Sequence, residues 1–178
     1  MSRRCGDATR ATACRRVELT SLWRMALSAT VRTATSADAA SVASIHMASR
    51  AATMPYLPTQ RRTLEQVTTW ARDVLMAHCR VWVACRADAP LAYAALNGDY
   101  LEHLYVRPDH LRHGLGAQLL NVVKQNSPSR VWLHVFQKNV GAIEFYAAHG
   151  FTVVESTDGT RNMESLPDHT LQWVPNPI

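Results

Sequence analysis

The sequence predicts one α/β domain with a mixed, mostly antiparallel sheet of six or seven strands and helices on both faces. Short β-branched or aromatic runs alternate with longer segments whose apolar residues recur at helical spacing. The dipeptide Asn97-Gly98 separates two strand-like runs, which is a strong signal for a β-hairpin. A length of 178 residues suits a single domain with its own core.

The predicted domain covers residues 31–178 and begins with a β-branched strand at 31–35. A helix follows at 36–50, with Asp38 near its start, where a carboxylate accepts protons from unpaired backbone amides. Two prolines within 54–58 interrupt this helix, because proline removes a backbone donor. A second helix is predicted at about 64–77, where apolar residues recur at helical spacing.

The rest of the chain alternates strands with two helices. The remaining predicted strands cover residues 80–86, 91–96, 100–106, 130–136, 151–156 and 169–174. The helices are predicted at about 114–125 and 139–150, the second closed by Gly150 in a left-handed conformation. A polar loop joins the last two strands.

The positive charge of the chain is concentrated at its start. The formal net charge is +5, and residues 1–30 hold six arginines against two acidic residues. The other 148 residues hold 13 basic and 12 acidic side chains. We therefore expect residues 1–30 to be a basic tail, disordered or the product of a mis-assigned start, and we expect no nucleic-acid partner for the domain.

The composition also argues against membrane and metal sites. No run approaches the roughly 20 apolar residues that a membrane-spanning helix needs, and the opening segment has no apolar block of a secretory signal. The four cysteines form no CxxC pair and have no zinc-like spacing with histidine. We expect reduced thiols, no metal, no membrane partner and a cytoplasmic location.

Two of the seven glycines, Gly114 and Gly116, stand where a short loop becomes an apolar helix. The free amides and dipole of a first helical turn attract anions, and glycine lets a phosphate approach the backbone. The motif lacks the lysine of a nucleotide-triphosphate loop and the third glycine of a dinucleotide fingerprint. By itself it indicates either an anion-binding loop or a turn with close helix packing.

A second landmark, NVGAIEFYAAHGF, begins 23 residues beyond Gly116 at Asn139. The strand LYV, the loop LRHGLG and this second segment together resemble the GNAT superfamily of acetyl-CoA-dependent N-acetyltransferases. That family has a Gln/Arg-x-x-Gly-x-Gly/Ala pyrophosphate loop and an N-x-x-A-x-x-F-Y-x-x-x-G-F helix. The resemblance covers about residues 31–174, with one departure: Leu111 stands where the family has Gln or Arg, and Arg112 is the neighbour able to compensate.

The resemblance implies a GNAT-like sheet whose strands splay apart at the acetyl-CoA site. The pyrophosphate would lie on the backbone amides of the glycine loop, and the pantetheine arm would run beside the preceding strand. The implied cofactor-binding residues are Leu104, Tyr105, Val106, Leu111, Arg112, His113, Gly114, Leu115, Gly116, Ala117, Asn139 and Tyr146. Asn139 is also an acceptable N-cap for its own helix.

Acetyl transfer to an amine needs a base, donors for the developing oxyanion and an acid for the departing thiolate. The resemblance implies that Tyr146 is the acid, and a backbone amide near Val106 is the expected oxyanion donor. The base is predicted by strand alternation, which places one set of side chains beside the cofactor. That set is Tyr100, Glu102, Leu104 and Val106.

Glu102 is therefore the predicted base, directly or through a water. His103 is the alternative, because its ordinary pKa suits the task although strand alternation turns it, with Tyr105, to the other face. Water alone stays open as a third possibility.

The implied reaction moves an acetyl group from acetyl-CoA to a primary amine of a small molecule or of a peptide or protein. Met54, Tyr56 and Trp70 belong to the region that shapes the acceptor pocket in the family, and Glu164 is expected to contact a cationic amine. The alternative is a catalytically weak acyl-CoA-binding sensor or interaction module, which would lack the base and acid present here. A homodimer through the last strands stays open.

Overall fold

The computed structural model describes residues 29–175, and within them seven strands form one sheet. The strands are β1 (Thr30–Thr33), β2 (Arg80–Arg86), β3 (Ala89–Asn97), β4 (Tyr100–Val106), β5 (Val131–Phe136), β6 (Thr152–Thr157) and β7 (Asp168–Trp173). Their order across the sheet is β1-β2-β3-β4-β5-β7-β6, and every neighbouring pair except β4 and β5 is antiparallel. This confirms the predicted mixed, mostly antiparallel sheet. The predicted basic tail lies outside the described residues.

The helices match the predicted ones to within a few residues. They are α1 (Ala39–Thr53), α2 (Leu64–Trp70), the short α3 (Met76–His78), α4 (Leu115–Gln125) and α5 (Val140–Ala148). A π-helical turn, Ala71–Leu75, joins α2 to α3. None of the helices within residues 29–175 is long and apolar enough to cross a membrane.

Side chains near the start of α1 organise its first turn. Asp38 accepts a hydrogen bond from the Thr35 amide at 2.8 Å and forms an ion pair with Arg32 at 2.8 Å. These partners, the Arg32 guanidinium first, lower the pKa of Asp38 to about 2. The expected role of Asp38 as an acceptor of amide protons is confirmed.

Helices cover both faces of the sheet. Residues of α4 such as Leu119 and Val123 are fully buried in one core, to which α5 contributes Tyr146. Residues of α1 such as Val42 and Ile45 are fully buried in a second core on the opposite face. At about 25 cal/mol per Å² of buried apolar surface, these two cores stabilise the helices against the sheet more than helix propensity does.

The predicted hairpin of β3 and β4 is confirmed, and β4 carries a β-bulge. The strands are joined by a two-residue turn in which Gly98 adopts a φ of 61°, a conformation that glycine takes without strain. Leu96 pairs with Leu101 and Ala95 pairs with His103, so Glu102 is the extra residue of the bulge. The bulge changes which side chains of β4 share a face.

Strands β4 and β5 are paired at one end and separate at the other. Their single ladder pair is Tyr100 with Trp132, whose rings stack at 4.4 Å between centroids. Asp99 fastens this end, because its side chain accepts a hydrogen bond from Trp132 Nε1 at 2.9 Å and pairs with Arg130. Its carbonyl oxygen also accepts the Trp132 amide at 3.0 Å. Beyond this point no strand within residues 29–175 pairs with the β5 side of β4, which fits the predicted splay.

An aromatic and histidine cluster packs α1 and α2 onto the sheet. His46 of α1 shares a 2.9 Å hydrogen bond between its Nδ1 and the hydroxyl of the fully buried Tyr93. Its ring lies 5.4 Å from that of His103 and 5.2 Å from that of Trp70. Burial is the main cause that lowers the pKa of both histidines to about 4. Both are therefore neutral at pH 7.

We expect the free energy of unfolding to fall as the pH drops from about 6.5 to about 4. In this window the unfolded chain binds protons on His46 and His103 that the folded chain does not, and above it neither histidine contributes. Each contributes a slope of about 1.4 kcal/mol per pH unit. Urea unfolding between pH 7.5 and pH 4.5 measures this slope.

The variant His46→Asn should flatten the slope, and His78→Asn, at an exposed position of α3, is the matched control. A pH dependence that stays the same in His46→Asn as in the unchanged protein would contradict a neutral buried histidine at this position.

Candidate active site

The opening between β4 and β5 connects cavities on the two faces of the sheet. The larger cavity, about 640 Å³, lies on the α1 face and is also walled by the loop between β6 and β7. The smaller, about 130 Å³, lies on the face of α4 and α5. Both are lined by Met54, Glu102, His103, Tyr105, His134, Val135 and Phe136. The two cavities therefore meet in the opening.

The bulge at Glu102 corrects the predicted arrangement of side chains on β4. Leu101, Leu104 and Val106 belong to the core on the α4 face. Tyr100 instead stacks on Trp132, and its ring also lies 5.8 Å from that of His134, so it faces the larger cavity. The prediction that Tyr100 shares a face with Leu104 and Val106 is wrong, because the extra residue shifts the alternation by one position.

Both candidate bases therefore line both cavities. Glu102 is half-buried, and its carboxylate accepts a hydrogen bond from Asn97 Nδ2 at 3.2 Å. His103 stacks on Tyr105 with 5.7 Å between ring centroids and is enclosed by the aromatic cluster. Strand alternation does not separate the two residues in this geometry. Their chemical environments do, because the aromatic cluster encloses His103 and burial lowers its pKa to about 4, whereas Glu102 accepts a hydrogen bond from Asn97.

Residues of α5 line the smaller cavity. The side chain of Asn139 accepts the Ala142 amide at 3.3 Å and so caps the helix, and it also faces the cavity. Tyr146 is buried, and burial raises its pKa well above the ordinary value, with smaller contributions from Tyr105 and Tyr100. Its phenol therefore keeps its proton at every physiological pH. A protonated hydroxyl beside the opening is suited to donate a hydrogen bond.

The glycine loop ends in a helix N-terminus that no side chain among the described residues caps. Gly114 is the N-cap at φ 78°, and Arg112 also adopts a left-handed φ of 62°. Gln118 donates to the Gly114 carbonyl at 3.1 Å, which leaves the amides of Leu115, Gly116 and Ala117 in the first turn without an intrahelical acceptor. The outward amides and the helix dipole make this loop fit a phosphate group.

The two glycines have different local roles. Gly114 is required by its positive φ, whereas a methyl group added at Gly116 would lie 3.3 Å from Phe145 Cζ and 3.6 Å from Leu104 Cδ2. Gly116 thus lets α4 begin close to α5 and to β4. The phosphate-binding amides consequently start beside the strand that borders the opening, so a phosphate and an extended chain can both be accommodated.

The other residues of the loop are exposed. Leu111, Arg112 and His113 face solvent, and His113 Nδ1 donates to the Leu111 carbonyl at 2.9 Å. An exposed Arg112 next to the free amides is consistent with the compensation expected for Leu111. Taken together, the free amides and the unpaired edge of β4 fit acetyl-CoA.

A polar network that the sequence did not indicate holds the wall of the larger cavity. Asp168 is buried and accepts hydrogen bonds from the Thr157 hydroxyl and from Asn162 Nδ2, the latter at 2.9 Å. Asn162 also bonds both backbone groups of Leu166. The network fixes the loop that carries Glu164 against the cavity. Its polar residues resemble those of any solvated loop, so no sequence signal distinguishes them.

The predicted acceptor residues fall into two groups. Met54 and Glu164 line the larger cavity. Tyr56 packs edge-on against Phe136 at 6.1 Å, and Trp70 packs behind the cavity against His103, with 5.7 Å between ring centroids. Arg50 of α1 also lines the larger cavity, although no sequence pattern predicted it as a site residue.

Neither cysteine among the described residues lines the two cavities. Cys79 and Cys85 are free thiols, while Cys5 and Cys14 lie outside the described residues. Within residues 29–175 no group of three His, Cys, Asp or Glu side chains is placed to hold a metal ion.

Comparison with known proteins agrees with this geometry. Residues 45–151 match the profile of the Acetyltransferase (GNAT) family. The peptidyl-lysine N-acetyltransferase YiaC of Escherichia coli (strain K12) is 32% identical over 103 residues, which are 57% of this chain and 68% of that protein.

Solved structures share the fold at lower identity. Apo-form YjaB from Escherichia coli superposes with a TM-score of 0.67 at 22% identity, covering 83% of this chain and 98% of that one. The structure of yncA from Salmonella typhimurium with its cofactor acetyl-CoA has a TM-score of 0.66 at 19% identity, covering 82% of this chain and 93% of that one. The chain belongs to the GNAT acetyltransferase family and is an acyltransferase that uses acetyl-CoA.

Proposed function

We propose that the protein transfers the acetyl group of acetyl-CoA to a primary amine of a small molecule or of a peptide or protein, by direct attack in a ternary complex. The meeting of the two cavities in the β4–β5 opening carries this proposal. A donor on the α4 and α5 face and an acceptor on the α1 face can reach each other through this opening.

In this proposal, backbone groups of the protein bind acetyl-CoA. The free amides at the start of α4 hold the pyrophosphate, and the unpaired edge of β4 around Leu104 and Val106 hydrogen-bonds the pantetheine arm. Acetyl-CoA supplies the activated acyl group. Asn139 contacts the arm from α5, while its side-chain oxygen keeps the cap on the Ala142 amide.

The larger cavity suits a cationic amine. Glu102 and Glu164 line it without an ion-pair partner among the described residues, whereas Glu155 is already paired with Arg161 at 2.7 Å. Free carboxylates attract an ammonium group and orient it toward the opening. The lysine-directed activity in the name of the relative YiaC supports an amine on a long flexible side chain as the acceptor.

Three groups of this chain then act at the opening. Glu102 accepts the proton of the acceptor ammonium, directly or through a water, so that the amine nitrogen can form its bond to the acyl carbon. A backbone amide of β4 near Val106 donates to the developing oxyanion. Tyr146 donates its phenolic proton to the departing sulfur as the carbon–sulfur bond breaks, and the second proton that the acylated nitrogen loses restores the phenol. His103, neutral with a pKa of about 4, lines the passage.

An amine panel with acetyl-CoA and thiol detection tests the proposal. We expect thiol release with at least one class among lysine peptides, peptides with a free N-terminus and small diamines. Acetyl-CoA binding without turnover on any class would favour a sensor module.

Tyr146→Phe should lower kcat by on the order of 100-fold with little change in acetyl-CoA affinity, and full activity would remove Tyr146 as the acid.

Glu102→Gln keeps an acceptor for Asn97 but cannot take a proton, so it should lower kcat and alter the pH–rate profile. Glu65→Gln removes the same charge from an exposed position of α2 and serves as the control. A profile identical to that of the unchanged protein would point to His103 or to water alone.

Gly114→Ala should weaken acetyl-CoA binding by about tenfold, measured by calorimetry, because a side chain at φ 78° costs about 1–2 kcal/mol and displaces the loop amides. Gly141→Ala in α5 is the matched control, since its added methyl group meets no atom within 4 Å. Equal affinity in the two variants would contradict the pyrophosphate assignment.

A further inference from the structure

Three buried side-chain atoms among the described residues have no polar partner, and two of them lie at or beside the larger cavity. The three atoms are Arg50 Nε, Tyr56 Oη and Arg86 Nε. An unsatisfied buried donor costs roughly 1–3 kcal/mol, so native proteins rarely keep one without a reason. A ligand that completes its hydrogen bonds is one such reason.

Arg50 is the donor that faces the cavity. It lies near the end of α1, where its carbonyl oxygen accepts the Met54 amide at 3.0 Å, so the backbone at this point is fixed. No carboxylate among the described residues lies within salt-bridge distance of its guanidinium. The charge is thus held at the cavity without being neutralised.

Electrostatic effects on neighbouring groups support this location. Burial raises the pKa of Tyr56 and of Tyr105, and in both cases the Arg50 guanidinium is the largest opposing influence. The Glu164 carboxylate instead raises the pKa of Tyr105. Tyr105 therefore lies within reach of a cation from α1 and of an anion from the β6–β7 loop.

The cavity consequently offers separate sites for opposite charges. Glu102 and Glu164 come from β4 and the β6–β7 loop, whereas Arg50 comes from α1. A guanidinium presents a planar fork of N–H donors that matches the two oxygens of a carboxylate. An acceptor with an ammonium group alone would leave this fork without a partner.

We propose that Arg50 is a specificity-determining residue that binds a carboxylate of the amine acceptor while the amine itself lies at Glu102. This inference rests on the proposed N-acetyltransferase function. The Tyr56 hydroxyl, unpaired and close enough for Arg50 to act on its pKa, is a second donor for the same group. The carboxylate belongs either to an acidic side chain beside an acceptor lysine in a peptide or to the α-carboxyl group of a free amino acid.

Two pairs of probes distinguish these sources. The first pair is Nα-acetyl-lysine and Nα-acetyl-lysinamide, which differ only in the α-carboxylate. The second is a blocked lysine peptide with Glu or with Gln as the neighbour of the lysine. We expect kcat/KM to favour the carboxylate member of at least one pair by about tenfold or more.

Arg50→Gln should reduce that preference to about twofold or less, and Arg50→Lys, which keeps the charge but not the fork, should give an intermediate ratio. Arg62→Gln removes an exposed positive charge from the chain between α1 and α2 and should leave the ratio unchanged.

Equal rates within both pairs for the unchanged protein would overturn the inference while leaving the proposed function intact. So would a preference that survives in Arg50→Gln. If acetyl-CoA binds but none of the four probes and no amine of the panel is acetylated, the proposed function and this inference are both contradicted.

Discussion

The site depends on one constraint, which is that β4 and β5 share a single ladder pair within residues 29–175. Tyr100 and Trp132 stack there, and Asp99 binds both the indole and the backbone amide of Trp132. Parallel neighbours normally continue their ladder of evenly spaced hydrogen bonds. Here the fastened end keeps the sheet continuous, while the free end leaves a polar strand edge next to the start of α4.

The chemistry of the two faces follows from that opening. The α4 face offers partial positive charge at the helix N-terminus and the protonated hydroxyl of Tyr146, which suit an anionic thioester donor. The α1 face offers Glu102 and Glu164 together with Arg50, which suit an amine that carries a carboxylate. On this second face His103 lines the opening, with the His46 ring packed against it, and neither histidine adds charge at neutral pH.

The sequence predicted what depends on local signals. The hairpin turn at Gly98, the left-handed Gly150 and the uncapped glycine loop were all recognisable, because each needs a particular residue type at a particular backbone conformation. The prediction of which β4 side chains share a face was wrong at Glu102, because a bulge breaks the period of two and the residue pattern does not indicate a bulge. The place of Arg50 in the site could not be predicted for a different reason, because its position at the cavity results from the packing of α1 against elements distant in sequence.

Amide hydrogen exchange with and without acetyl-CoA tests the central claim most directly, because it reads the backbone of β4 and of the glycine loop residue by residue. We expect saturating acetyl-CoA to slow exchange within residues 103–106 and 112–117 and to leave β1, at the far edge of the sheet, unchanged. Binding that protects neither segment would contradict the account of the β4–β5 opening as the seat of the acetyl donor.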